Sequence, residues 1–179
     1  RGPAELIKLA SWGLLLHGDQ AAALSLSERA LASYRQALET WQSRESAEAT
    51  VDQELPMVHL LWRAGLEDEA VRLSNRLLES APENREAVMW NGILAARRGD
   101  RVEAEKAAAV LAGAEITTEE TYNLACIAAQ LGDPDRALDL LRQSAAFASY
   151  YTWFGMHFDP DLEPLRDHPA FQEMLRPKG

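Results

Sequence analysis

The chain has 179 residues and carries 18 Lys+Arg against 28 Asp+Glu, a net charge of −10, at a length that suits one domain or a short repeat array. A polyanion is a poor partner for phosphate backbones, so neither nucleic-acid binding nor adsorption to anionic membranes is expected. One cysteine closes no internal disulfide, and four scattered histidines make no metal cluster.

Alanine occurs 30 times and leucine 26, against 10 Val+Ile. Ala and Leu favour helices and β-branched residues favour sheets, so the expected class is all-α. The first apolar run, Leu6 to Leu16, is broken by Lys8 and falls short of the roughly 20 residues that cross a bilayer. No small-residue cleavage pattern follows it, so no membrane insertion is expected and a cytoplasmic location is. The opening Arg1-Gly2-Pro3 reads as part of something longer or as a cloning remnant.

Four glycines, Gly18, Gly65, Gly99 and Gly132, each precede an alanine by five residues, and stand 47, 34 and 33 residues apart. Two intervals match a helix-turn-helix repeat of about 34 residues, and the first carries a 13-residue excess. Gly supplies the left-handed residue that ends the first helix of each pair. Asp19, Asp100 and Asp133 then cap the second helix, and Pro134 stands where its missing N–H costs little. The alanines Ala23, Ala70, Ala104 and Ala137 are expected where paired helices cross. From Ala21 to about Ser46, through Ala30, Leu31, Tyr34, Leu38 and Trp41, nothing breaks a helix. The excess therefore predicts an extended second helix, or a helix and a loop near residues 45–50. Pro56 should kink the next helix or delay its start. Thr117-Thr118-Glu119-Glu120 is a capping box.

These turns resemble those of the tetratricopeptide repeat (TPR) family. Tyr122-Asn123-Leu124-Ala125-Cys126-Ile127 followed by Leu131-Gly132-Asp133 is similar to the family's first helix and turn, and Gly92, Ala30 and Pro82 fill further family positions. Asn91, Ile116 and Ser149 depart from the pattern. The resemblance implies a right-handed α-solenoid of four units, at about 4–46, 51–84, 85–117 and 118–149, with a C-terminal capping segment at 150–179. The proline-rich tail, with Leu162, Leu165, Phe171 and Leu175, is similar to segments that end bacterial TPR arrays. Its apolar side chains can plug the exposed end of the last unit.

Candidate chemistry is sparse. Asp159, Asp161 and Glu163 lack the glycine and distal glutamate of a calcium loop, and read as solvated acids in a proline-rich turn. Cys126 lies mid-helix in an apolar stretch with no basic neighbour in sequence, and reads as an inert thiol. There is no phosphate loop and no nucleophile elbow, so no enzymatic activity and no cofactor is expected.

What the resemblance implies instead is a concave groove lined by first helices. Carried over by residue, the partner-binding set is Lys8, Trp12, His59, Trp62, Arg63, Met89, Trp90, Ile93, Arg97, Tyr122, Asn123, Cys126 and Gln130. Trp, Tyr and Arg are enriched at binding hot spots, although any one ring could equally pack between helices. The family's clamp for chaperone tails is disfavoured: Lys8 matches it, but Trp12, Pro56, Glu86 and Trp90 replace its other residues. The expected partner is a protein or peptide segment with apolar anchors. A homodimer scaffold built on the Trp41-bearing extension, and a regulatory domain of a larger bacterial protein, are alternatives.

Overall fold

The computed structural model of the chain describes residues 20–42, 50–113, 116–146 and 155–176. Gly18, Asp19, Ser149 and the expected groove residues Lys8 and Trp12 lie outside them, as do the side chains of Ala23, Trp41 and Arg63. The chain divides into two compact units, Arg1–Pro82 and Glu83–Gly179.

The first unit contains α1 (Gln20–Gln42), α2 (Val51–Arg63) and α3 (Glu67–Ser80). α1 is the extended helix, 23 residues without an internal Gly or Pro. It packs on α2, and α2 on α3. α2 buries Leu55, Val58 and Leu61; α3 buries Ala70, Leu73 and Leu77, the three- and four-residue spacing of a one-faced helix. The two are clamped by Arg76, whose Nη1 and Nη2 donate to the buried Glu54 carboxylate at 3.0 and 2.9 Å in the fork geometry that makes such pairs strong. The expected late start of α2 is not found. The helix begins at Val51, ahead of Pro56. Its start is set by Thr50, whose backbone N–H donates to Gln53 Oε1 at 3.0 Å. The exposed Pro56 removes only one bond of the following turn.

The second unit contains α4 (Arg85–Arg97), α5 (Arg101–Ala112), α6 (Thr118–Gln130) and α7 (Pro134–Ala146). After a helical stretch over 155–158 come a 3₁₀ helix, Pro160–Leu165, and α8, Pro169–Leu175. α4 pairs with α5 and α6 with α7; α4 and α5 also touch α6, and α6 carries the 3₁₀ helix on another side. No strand occurs among the described residues. The fold is all-α, its helices packed in adjacent pairs in the manner of a solenoid.

Three turns are built alike. Gly65, Gly99 and Gly132 have φ of 78°, 75° and 75°, the left-handed region where only glycine is at ease. Around each, the N–H of the glycine and that of the next residue bond back to the ending helix. Gly99 donates to the Ala96 carbonyl at 3.1 Å and Asp100 to the Ala95 carbonyl at 2.9 Å; Gly132 and Asp133 repeat the pattern on Ala129 and Ala128. This is the two-bond Schellman closure, which satisfies carbonyls that a helix end leaves unpaired. The side chains of Asp100 and Asp133 then accept from the N–H groups of Glu103 and Arg136, at 3.2 and 3.1 Å, starting α5 and α7.

Ala70, Ala104 and Ala137 are fully buried, as the close crossing of paired helices requires. Ala104→Leu or Ala137→Leu should cost about 1–3 kcal/mol through overpacking, measured as a lower urea midpoint at unchanged slope. α6 is buried on most of its circumference, with Thr121, Tyr122 and Leu124 to Ala129 all inside, because it has partners on several sides.

α6 starts at the expected capping box: Thr117 Oγ1 accepts from the Glu120 N–H at 3.1 Å, and Glu120 Oε2 accepts from the Thr117 N–H at 2.8 Å. Arg85 joins it, with Nε on Glu120 Oε1 at 2.6 Å and Nη2 on the Leu111 carbonyl at 2.9 Å. The Arg85 hydrogen bond holds the Glu120 carboxyl below its ordinary range; burial opposes it, and Thr117 assists. Because the folded pKa is depressed, this contribution is present above the ordinary carboxylate range and is lost as pH falls through the folded value. Glu120→Gln should therefore flatten the acid limb of a stability-against-pH curve, measured by urea melts from pH 3 to 7.

Candidate functional site

Four of the expected groove residues of the second unit, Arg97, Tyr122, Cys126 and Gln130, converge on a single place, and it is occupied by the chain itself. Residues 155–165 lie against α6. Tyr122 donates its hydroxyl to Asp159 Oδ2 at 3.1 Å. Gln130 Nε2 donates to the Asp161 carbonyl at 2.9 Å. Arg97, at the end of α4, meets Asp161 Oδ1 at 2.6 Å through its Nη1. Gly155 lies so close that a Cβ there would stand 2.7 Å from the Tyr122 hydroxyl oxygen.

The seat is made locally on both sides. Tyr122, Cys126 and Gln130 follow one another at four-residue steps on α6, so they share a face. On the other side, Asp159 caps the 3₁₀ helix by accepting from the Asp161 N–H at 3.0 Å. Pro160 begins that helix, and Leu162 and Leu165 point into the core. Arg166 ties the segment together, donating to the Met156 carbonyl at 2.7 Å and the Asp159 carbonyl at 3.1 Å. It also stands 5.5 Å from the centre of the Phe171 ring. His168 caps α8, its Nδ1 accepting from the Ala170 N–H at 3.3 Å.

The expected picture of solvated acids in a turn holds for the exposed Glu163 but is corrected for Asp161. Asp161 is only 4 % exposed, because Arg97, 64 residues away in sequence, supplies its counter-charge. A buried carboxylate is tolerated when it is paired and hydrogen-bonded. Cys126 likewise has acidic neighbours that sequence spacing did not reveal: its sulfur and the carboxylates of Asp159 and Asp161 lie within 4.8 Å of one another. Burial pushes the Tyr122 hydroxyl pKa well up, and its neighbours Cys126, Asp159 and Asp161 add to it. The phenol therefore stays protonated and serves as a donor. In the same segment, burial and then the Arg166 charge lower the pKa of His157.

The other expected groove residues are placed as follows. Met89 and Ile93 are buried, and Met89 Sδ accepts from Asn123 Nδ2 at 2.9 Å. Trp90 and Asn123 are half-buried. In the first unit, His59 and Trp62 are half-buried and stacked, with ring centres 6.1 Å apart and planes 26° from parallel. Tyr122 and Cys126 are buried. Thus Arg97, Tyr122, Cys126 and Gln130 come together beneath or beside the C-terminal segment, whereas His59, Trp62 and Trp90 keep part of their ring surface in solvent.

Sequence reasoning missed Asp159, Asp161 and Gly155 as the partners of that face. The only signal was the tail's alternation of prolines with leucines, which marks a segment with an apolar side but not the helix that receives it. No helix among the described residues is long and apolar enough to cross a membrane. The sequence matches no protein-family model and no curated protein.

Proposed function

We propose that this chain is a non-catalytic, TPR-like module that captures a peptide or protein segment on the faces of its first helices. The observation that carries the reading is the seating of residues 155–165 on α6. A short, proline-containing helical segment is held there by apolar side chains, a carboxylate on an arginine, and backbone carbonyls on a glutamine. That is the combination by which a peptide segment is recognised: apolar anchors for affinity and a few polar contacts for register.

On this reading Arg97, Tyr122, Cys126 and Gln130 serve the chain's own terminal segment, and the partner-facing residues are His59 and Trp62 on α2 and Trp90 on α4. Trp62 and Trp90 each offer a large ring, of the residue type enriched at binding hot spots. A cytoplasmic setting belongs to the same proposal, and a regulatory domain of a larger bacterial protein is its alternative.

A displayed library of random peptides, selected on the immobilised intact chain, tests it. Enriched peptides should carry apolar or proline anchors, and Trp62→Ala or Trp90→Ala should weaken them by tenfold or more, about 1.4 kcal/mol or above. Failure to enrich any sequence, or binding indifferent to both substitutions, would overturn the assignment.

A further inference from the structure

We draw no further inference here: the strongest candidate, the cluster of Cys126, Asp159 and Asp161 beneath the C-terminal segment, already holds its carboxylates on Tyr122, Arg97 and the Asp161 amide, and no second observation points to a ligand there.

Discussion

Phe171→Ala should destabilise the second unit by about 3–5 kcal/mol, the cost of deleting a large side chain from a site that cannot collapse around the void. The ring is fully buried in a cluster with Leu162, Leu165, Met156 and the α6 and α7 residues Tyr122, Ala125, Leu138 and Leu141. It also carries the Arg166 guanidinium on one side, and Arg166 in turn holds two backbone carbonyls of the 155–159 turn. Removing the ring therefore takes away both the apolar anchor and the support of the side chain that organises the turn. The loss should appear as a lower urea midpoint. It should also appear as faster tryptic cleavage after Arg166, since loosening the segment exposes that bond. Phe171→Leu, which keeps most of the volume, should lose less than half as much. A Phe171→Ala protein as stable and as protease-resistant as the parent would show that the segment is not part of the core.

Gly92→Val is the second large effect, expected at about 3 kcal/mol, the upper end of what overpacking costs. A Cβ at Gly92 would stand 2.7 Å from the Ala107 Cβ and 3.1 Å from Ile127 Cδ1. The first contact is with a side chain that has no torsion by which to yield, so α4 and α5 must move apart. Valine adds two methyl groups to that clash. Ala107 and Ile127 are both buried, and the strain would spread to α6. Thermal melts should show the loss, and the double change Gly92→Ala with Ala107→Gly should recover most of the stability that Gly92→Ala alone removes. Undiminished stability in Gly92→Val would mean that α4 and α5 are not packed this closely. The conformations of Gly65, Gly99 and Gly132 raise a different issue. Nothing lies within 4 Å of a Cβ added there, so a substitution would act through the positive φ alone.

Much of the fold was legible because its determinants are local. A left-handed glycine, an aspartate behind it and an alanine five residues on need only their own neighbours to specify a turn and a close crossing. Gly65, Gly99 and Gly132 adopt the conformation that this pattern demands. The capping box at Thr117 and Glu120 was readable for the same reason, since both partners lie within one turn. The extended α1 followed from 23 residues with nothing to interrupt them. Pro56 shows the limit even of local reading. Its helix-breaking tendency was plain, but the cap at Thr50 had already set the start of α2.

Composition and spacing thus determined the all-α class, the places of the turns and the residues that end and begin the helices, because each is decided by interactions within a few residues. Tertiary structure alone decided what covers the face of α6. The pairings of Arg97 with Asp161 and Tyr122 with Asp159 span 64 and 37 positions, and whether a charged side chain is solvated or buried depends on what the fold sets beside it. An acidic turn reads as water-facing until an arginine from another helix arrives to neutralise it, and no periodicity along the chain encodes that meeting.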